Sequence, residues 1–378
     1  MRQLKIHNFG PIQDVDIQLK EYNFLIGGQG VGKSTIAKLL SIVTDYNLYL
    51  YLSLRQEDTI GVWHQFLENF GILNYEKEDS IIEYTQEGKS CFDDKTEEYR
   101  LSVRVDANGV SVEMSYNGEQ VQHKDVAKVL LCSIADRTET EEFKNRFDKE
   151  DLSAILDVLR DSLYIPAERI MYASFTKLLP ALNLVKETVS DNMLYFAVEY
   201  NNAKAKIGHC TMPVLEVDFV HEKDDDYIVT SDGKRLVIRE ASSGMQSTIP
   251  LLLTLDYATD KKGYHSYVVE EPECNLYPTN QLRLMDVLLD YIKRKRSTLT
   301  ITTHSPYIIN YLNVLIRRSY RGMDNGLSPE EVAAYYVTED GGATDLMAVD
   351  NDSQEWLVDT FDLSEPMNGI YSEYVALN

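Results

Sequence analysis

Apolar and polar residues alternate at the start of the chain, on both sides of the turn sequence Asn8-Phe9-Gly10-Pro11. Alternation with a period of two predicts a strand with one buried face, and Gly-Pro predicts a reversal of the chain. We therefore expect two strands joined by this turn, with these alternating apolar residues: Leu4, Ile6, Val15, Ile17 and Leu19.

The periodicity then changes from strand to helix across a glycine-rich segment. Tyr22–Ile26 is almost continuously apolar, which is typical of a strand buried on both faces. Beyond the glycines, apolar residues recur at a spacing of three and four, which predicts a helix. These residues are Ile36, Leu39, Leu40 and Val43.

A different pattern occupies the chain between about residue 55 and about residue 160. Glu76–Gln122 combines many charges with strand alternation, and Asn108-Gly109 is a hairpin turn signal. Lys124–Arg160 is helical in pattern and strongly acidic. We interpret 56–160 as an inserted acidic α+β lid region that lies outside the core of the fold.

The second half of the chain returns to alternating strands and helices. Periodicity predicts strands at Ser162–Pro166 and Ala333–Thr338 and a helix at Asp191–Ile207, and Tyr227–Arg239 alternates as strands do around Asp232-Gly233. An apolar strand ends in Glu270-Glu271, and another strand ends in His304. Strands that alternate with helices predict an α/β fold.

The net charge of the 378-residue chain is −24. This charge disfavours a main role in binding the phosphate backbone of nucleic acid, because such binding needs a basic face. The chain has basic clusters at Lys293–Arg296 and around Arg317-Arg318 and Arg321. We interpret the first as a helix C-terminus, where cations complement the helix dipole. A nucleic-acid patch is the disfavoured alternative.

Four cysteines lie far apart without a CxxC pair, so we expect reduced thiols and no zinc site. No apolar run reaches membrane-spanning length, and the N-terminus lacks the apolar stretch of a signal peptide. These features predict a cytoplasmic protein with no membrane partner.

The glycine-rich segment matches the phosphate-binding pattern GxxxxGK[ST] and lies between a predicted strand and a predicted helix. Its backbone N–H groups would converge on the phosphates of ATP, Lys33 would reach the β- and γ-phosphates, and Ser34 would bind Mg²⁺. This context disfavours an ordinary glycine turn. The predicted nucleotide-binding residues are Gly27, Gly28, Gln29, Gly30, Val31, Gly32, Lys33, Ser34 and Thr35.

Glu270 and Glu271 follow an apolar strand, a position where a pair of carboxylates is uncommon because buried charge is costly. Phosphoryl transfer needs one group that holds the metal and one that orients the attacking water. We assign Glu270 to Mg²⁺ and Glu271 to the water. His304 ends the next strand; a lone histidine there is usually structural, but its spacing from Glu271 favours a γ-phosphate sensor, so Lys33, Glu271 and His304 are the predicted catalytic residues.

These motifs together resemble the ABC-type ATPases of the SMC/RecF/OLD group, and most closely the OLD-like ATPases (OLD, overcoming lysogenization defect). The segments that carry the resemblance are Ile6–Ile12, Glu270–Pro278, Thr303–Pro306 and the element Pro166-Ala167-Glu168-Arg169. The resemblance implies a P-loop NTPase fold with an ABC-type ATPase head, in which a mixed central sheet is flanked by helices. We expect 1–55 and 161–378 to form that head around the insertion 56–160.

The same resemblance identifies Ser242–Gln246 as a signature motif, in which Ser243 and Gly244 contact the γ-phosphate bound by the opposite subunit of a dimer. Taken alone, Ser-Ser-Gly indicates only a loop or a helix cap. Pro250 follows closely and should kink a helix that starts at the signature, unless that helix starts later. Arg169 receives no role from the sequence beyond its place in the motif.

Three functions remain open at this point. The first is an ATP-driven switch whose dimerisation controls a separately encoded effector, such as a nuclease, in bacterial anti-phage defence. The second is a DNA-repair or chromosome-maintenance ATPase of RecF or SMC type that clamps DNA directly. The third is a transporter ATPase, and the support for it is weak because the LSGGQ sequence motif of that class is missing.

The segment after His304 bears on the same question. OLD nucleases carry a TOPRIM nuclease domain after the head, and the residues after His304 suffice only to finish the head. We therefore expect a head without that domain. Asp345, Asp350, Asp352 and Asp359 could form a metal cluster, but a solvated acidic face is the favoured interpretation.

Overall fold

The computed structural model describes residues 1–89, 96–120, 161–175, 190–222, 225–260, 264–294 and 297–377. Its strands are β1 Arg2–Phe9, β2 Ile12–Leu19, β3 Tyr22–Gly27, β4 Ile81–Lys89, β5 Thr96–Asp106, β6 Gly109–Tyr116, β7 Glu119–Gln120, β8 Asp161–Ile165, β9 His209–Met212, β10 Val217–His221, β11 Asp226–Thr230, β12 Arg235–Val237, β13 Tyr264–Glu270, β14 Thr298–Thr303, β15 Val332–Val337, β16 Ala343–Asp345, β17 Met347–Val349 and β18 Trp356–Val358. Its α-helices are α1 Lys33–Val43, α2 Tyr46–Leu54, α3 Thr59–Asn69, α4 Ile170–Phe175, α5 Asp191–Ile207, α6 Ser243–Asp260, α7 Pro278–Lys293, α8 Pro306–Tyr320 and α9 Phe361–Ala376.

The central sheet has the strand order β16-β15-β3-β14-β13-β8. All its neighbouring strands are parallel except the edge pair β15–β16, so the sheet is mixed, and the predicted α/β fold is confirmed. Strands β3 and β14 are buried along their whole length. The mostly apolar sequence of β3 predicts this for a strand covered on both faces, whereas β14 is equally buried although it alternates threonine with Leu299 and Ile301.

An antiparallel sheet of order β2-β1-β4-β5-β6-β7 packs over α1 and shares one hydrophobic core with it. Strand β1 pairs with β2 across the predicted turn and with β4 along its other edge. The described strands of the predicted insertion 56–160 therefore continue the N-terminal sheet. The division of the chain at residues 55 and 160 stays a prediction.

The loop between β5 and β6 differs by one residue from the predicted hairpin turn. Asp106 pairs with Gly109, so the turn residues are Ala107 and Asn108, and Gly109 already belongs to β6. The predicted acidic helical segment Lys124–Arg160 lies outside the described residues.

A smaller antiparallel sheet of order β12-β11-β10-β9 packs beside α5 and α6. It holds a buried ion cluster in which Lys204 Nζ lies 2.8 Å from Asp226 Oδ2 and His221 Nδ1 lies 2.6 Å from Asp226 Oδ1. Lys204 and Asp226 are almost completely buried, so each neutralises a charge that would be costly alone.

Helix α6 begins at Ser243 and contains Pro250, so the alternative of a late helix start is wrong. Proline is tolerated there although it has no N–H to donate to the preceding turn. Within the described ranges, no helix is long and apolar enough to cross a membrane.

Candidate functional site

The predicted site residues converge at one edge of the central sheet because its strands are parallel and end at matching registers. Gly27 at the end of β3 aligns with Val337, and Ile26 aligns with Thr303 at the end of β14. Glu270 at the end of β13 aligns with Thr302. Ligands of α/β sheets bind at this carboxyl edge.

The glycine loop leads into α1 without a side chain that caps the helix, so the first N–H groups of α1 are open to an anion. Gly32 precedes the helix with φ 110°, in the region that favours glycine. A Cβ on Gly27 would lie 2.4 Å from the carbonyl oxygen of Val337, so only glycine fits there. In the loop, Gly28, Gln29, Gly30 and Ser34 are exposed, whereas Val31, Gly32, Lys33 and Thr35 are buried.

Lys33 turns back toward the loop, where its Nζ donates hydrogen bonds to the carbonyl oxygens of Gly27 at 3.0 Å and Gly28 at 2.6 Å. Burial lowers the pKa of Lys33, while the carboxylates of Glu271, Glu273 and Glu270 act in the opposite direction. The ammonium group is thus already at the mouth of the loop, near the carboxylates at the end of β13 and just after it.

Glu270 is buried, and its Oε1 has no hydrogen-bond partner among the described residues. Burial raises the pKa of Glu270, although hydrogen bonding from Ser34 and Tyr164 and the charge of Lys38 oppose this rise. A buried carboxylate oxygen without a donor, beside a serine hydroxyl, provides the oxygen ligands that Mg²⁺ prefers. The two predicted metal ligands, Ser34 and Glu270, therefore fit that ion.

His304 bridges two of the predicted catalytic groups. Its Nδ1 lies 3.5 Å from Lys33 Nζ, and its Nε2 lies 3.3 Å from Glu271 Oε1. Because an ammonium group can only donate, Nδ1 accepts and Nε2–H donates to the carboxylate. This arrangement joins Lys33, His304 and Glu271 in one polar chain, and both His304 and Glu271 remain partly exposed.

Glu273 is a site residue that the sequence analysis missed. Its Oε1 accepts hydrogen bonds from the hydroxyl of Thr303 at 2.6 Å and from the backbone N–H of His304 at 2.8 Å. Burial raises its pKa, and these donors oppose the rise. Glu273 thus fixes the start of the loop that carries His304. The signal was present as a third carboxylate two residues after the assigned pair.

Arg169, to which the sequence assigns no role, is wholly buried. Its guanidinium donates to the carbonyl oxygens of Pro166 at 2.6 Å, Glu270 at 2.5 Å, Glu271 at 2.7 Å and Ser247 at 3.3 Å. All four acceptors are backbone atoms, which no residue-type pattern in the sequence could have indicated.

The signature residues lie at the start of α6, packed on the loop that follows β13. A Cβ on Gly244 would lie 2.7 Å from the carbonyl oxygen of Asn275, and Ser247 Oγ donates to the carbonyl of Cys274 at 2.9 Å. Ser243 is exposed. Ser242 Oγ accepts from the N–H of Met245 at 3.4 Å, so this serine does cap the helix.

The described members of the basic clusters stand at helix ends, where the arginines pair with acidic side chains and Lys293 donates to the carbonyl of Gly326 at 2.7 Å. Arg294 follows α7 and pairs with Asp290, and Lys295 and Arg296 lie outside the described residues. At the end of α8, Arg318 pairs with Asp286 at 3.5 Å, whereas Arg317 and Arg321 share one carboxylate, Glu355.

Two of the acidic residues near the C-terminus, Asp345 and Asp350, accept hydrogen bonds within local turns. Asp350 Oδ1 accepts from the N–H groups of Asp352 at 3.1 Å and Ser353 at 2.6 Å, and these hydrogen bonds lower the pKa of Asp350. Asp345 likewise accepts from the N–H of Met347. In the part of the chain that the structure describes, no group of three acidic, histidine or cysteine residues is arranged to hold a metal ion.

Comparison with known proteins gives a family match and distant structural neighbours. A family model for an AAA ATPase domain matches residues 1–181 and 115–309. A structure of an SMC head bound to the C-winged helix domain of ScpA is 13% identical, with a TM-score of 0.45, over 91% of this chain and 96% of that one. An SMC head domain from Thermotoga maritima is 12% identical, with a TM-score of 0.43, over 91% of this chain and 97% of that one. A structure of the recombination mediator protein RecF is 11% identical, with a TM-score of 0.37, over 91% of this chain and 97% of that one. No curated protein matches the sequence.

Proposed function

We propose a function from the premise that this chain belongs to the family of AAA ATPase domains, whose model covers residues 1–181 and 115–309. The chain is accordingly a nucleotide-binding protein and an ATPase. Within that activity, we infer that it is a dimerising switch of ABC type: ATP brings two copies together, and their association completes the hydrolytic site.

The proposed nucleotide site is the glycine loop with the start of α1. The backbone N–H groups of Gly28–Lys33 receive the phosphates, and Lys33 Nζ exchanges its two loop carbonyls for phosphate oxygens. Ser34 and Glu270 would hold Mg²⁺, which when bound would neutralise charge on the phosphates. The unpartnered Glu270 Oε1 supports this assignment.

The observation that carries the hydrolytic assignment is the contact between Glu271 and His304, 3.3 Å apart and beside Lys33. Glu271 is partly exposed, so a water molecule can reach its carboxylate and donate a hydrogen bond to it. The oriented water attacks the γ-phosphorus, the bond to the ADP oxygen breaks, and Glu271 accepts the water's proton. His304 keeps the carboxylate in place and faces the γ-phosphate.

The dimeric part of the proposal rests on Ser243. This exposed residue is the first of α6. The first turn of that helix packs on the loop after β13, where Gly244 lies against the carbonyl of Asn275 and Ser247 donates to the carbonyl of Cys274. A hydroxyl and N–H groups at a helix start suit a phosphate ligand, and a second copy can present one.

A separately encoded effector suits the strongly acidic charge of −24 and the pairing of Arg294, Arg317 and Arg318 with acidic side chains. A role in anti-phage defence rests on the resemblance of the sequence motifs to OLD-like ATPases. The competing function, a clamp on DNA, would need an open basic surface.

Glu271→Gln tests the proposal. We expect the variant to bind ATP with near wild-type affinity, to hydrolyse it at least about 100-fold more slowly, and to accumulate as a dimer or larger assembly. Size-exclusion chromatography with ATP and a phosphate-release assay provide the readouts. Glu339→Gln, an exposed glutamate after β15, is the control. Hydrolysis by Glu271→Gln at the wild-type rate would remove Glu271 from the mechanism, and strong stimulation by DNA would favour the clamp.

A further inference from the structure

Arg169 is the only cation that reaches both the end of β13 and the start of α6 in the hydrogen bonds of the described residues. Arginine is almost never fully buried unless it is paired, and here the guanidinium is wholly enclosed. The N–H groups of the guanidinium donate hydrogen bonds to four backbone carbonyls, which belong to three separate segments of the chain. The side chain therefore acts as a cross-link between main-chain segments.

One of these segments carries a strained residue. Glu271 has φ 43°, in the left-handed region that residues with a side chain adopt only when the surrounding structure holds them there. Three hydrogen bonds hold this backbone. The N–H of Glu271 donates to the carbonyl of Thr302 at 2.9 Å, and the carbonyl of Glu271 accepts from Arg169 Nη2 at 2.7 Å and from the N–H of Cys274 at 3.1 Å. The turn they maintain directs the carboxylate of Glu271 toward His304.

The second segment is the first part of α6. Arg169 Nε donates to the carbonyl of Ser247, one helical turn beyond Ser243. The hydroxyl of Ser247 donates in turn to the carbonyl of Cys274, three residues after Glu271. Hydrogen bonds thus link the start of α6 to the backbone on both sides of Glu271.

We propose that Arg169 is a positioning residue that couples the start of α6 to the backbone of Glu271. When Ser243 contacts the nucleotide of a second copy, α6 shifts, and the hydrogen bonds of the Arg169 guanidinium move the backbone of Glu271 with it. The water-orienting carboxylate of Glu271 then takes its catalytic position. Association thus becomes a condition for hydrolysis. This coupling rests on the proposed dimeric function and goes beyond it, because the dimer alone would not require Arg169.

The test uses Arg169→Lys, because an ammonium group is a point charge that cannot reach four carbonyls in a planar array. Arg169→Gln is the second variant, with a neutral amide. We measure ATP affinity, ATP-dependent association by sedimentation, and specific activity as a function of protein concentration. In the wild type, specific activity rises as dimers form. We expect Arg169→Lys to keep affinity and association within about threefold but to lose about 100-fold in kcat at full association, with KM little changed.

Lys204→Met provides a matched control, because it also removes a buried cation but lies in the separate cluster with Asp226 and His221. It should lower the melting temperature without changing kcat at a temperature where it is folded. A purely structural role for Arg169 would give the same pattern as this control.

The proposal is overturned if Arg169→Lys and Arg169→Gln hydrolyse ATP normally once associated, or if they fail to associate. It is also overturned if neither variant folds, because Arg169 would then be a folding requirement. Wild-type hydrolysis by Glu271→Gln would instead defeat the proposed function itself. An inactive Glu271→Gln beside an active Arg169→Lys would defeat only the coupling.

Discussion

The thiol of Cys274 donates a hydrogen bond to the carboxylate of Glu271, with Sγ 3.2 Å from Oε2. His304 approaches the other carboxylate oxygen, so the carboxylate is held from two sides. Burial, followed by the hydrogen bond to Glu271, raises the pKa of Cys274 to about 12. The group therefore stays a neutral donor throughout the physiological range, and a thiolate beside the carboxylate is avoided.

We predict that Cys274→Ala lowers kcat by about three- to tenfold and leaves ATP affinity unchanged, because it removes one weak hydrogen bond to the carboxylate. Cys274→Ser, which keeps a donor, should retain most of the activity. Cys210→Ala is the control, since this thiol is also partly buried but lies on β9. Steady-state kinetics with full titration of ATP provide the measurement, and equal kcat values for Cys274→Ala and wild type would contradict the prediction.

The raised pKa of Cys274 also predicts its reactivity. Only the thiolate reacts with iodoacetamide, and at pH 8 its population in the folded protein lies far below that of a thiol whose pKa is 9.0. We expect alkylation of Cys274 at pH 8 to be at least about 100-fold slower in the folded protein than after denaturation. The rate should still rise as the pH increases from 8 to 10. Peptide mass spectrometry against time measures it, and equal rates in both states would refute the burial of this thiol.

We predict that Lys33→Ala weakens ATP binding by about 100-fold or more, because charge-assisted hydrogen bonds to phosphate contribute ~1.5–3 kcal/mol each. Isothermal titration with Mg²⁺ and ATP is the measurement. Lys20→Ala is the control, because Lys20 precedes β3 at the opposite end of the strand and donates to the carbonyl of Pro329. Unchanged affinity in Lys33→Ala would reject the assignment of the glycine loop.

We predict that Ser243→Arg leaves ATP binding largely intact but prevents ATP-dependent association and hydrolysis. The reason is steric, because a long cation would replace an exposed hydroxyl at the start of α6, where the second copy must approach. Ser231→Arg, in the exposed turn between β11 and β12, is the matched control. Normal hydrolysis by a monomeric Ser243→Arg protein would reject the signature assignment, and Ser242–Gly244 would then be only a helix cap.

A mixture of Ser243→Arg and Lys33→Ala subunits sharpens this prediction. In a two-fold dimer of one subunit of each kind, one composite site holds both defects and the other holds neither. The mixture should recover activity that neither variant has alone, up to the limit set by the abundance of heterodimers. Phosphate release across mixing ratios measures the recovery. No recovery at any ratio, with heterodimers present, would contradict sites that are shared between subunits.

The buried ion cluster gives a prediction on stability. Lys204→Met should lower the free energy of unfolding by about 3–5 kcal/mol, because it leaves Asp226 buried without its cation. Lys204→Met combined with Asp226→Leu should recover most of that loss. Arg283→Met removes the exposed pair with Glu216 and should cost less than about 1 kcal/mol. Urea unfolding measures all three, and equal losses for Lys204→Met and Arg283→Met would contradict the burial argument.

Much of the fold could be predicted because its signals are local. The apolar run Tyr22–Ile26, the glycine pattern and the helical spacing from Ile36 to Val43 each specify a conformation within a few residues, and the structure has β3, the loop and α1 there. The helix predicted at Asp191–Ile207 has the same bounds as α5. The pairing of β1 with β4 could not be predicted, because strand alternation identifies a buried face but not the neighbouring strand.

The sequence by itself determined the chemical groups of the candidate site, since Lys33, Ser34, Glu270, Glu271 and His304 follow strands whose apolar patterns are plain. Only the tertiary structure decided how these groups are held. Arg169 donates hydrogen bonds to the backbone carbonyls of Ser247, Glu270 and Glu271, which lie 78, 101 and 102 residues away along the chain. Because every residue type has the same backbone carbonyl, the sequence of side chains cannot predict these hydrogen bonds. They form only when the folded sheet has brought the three segments together.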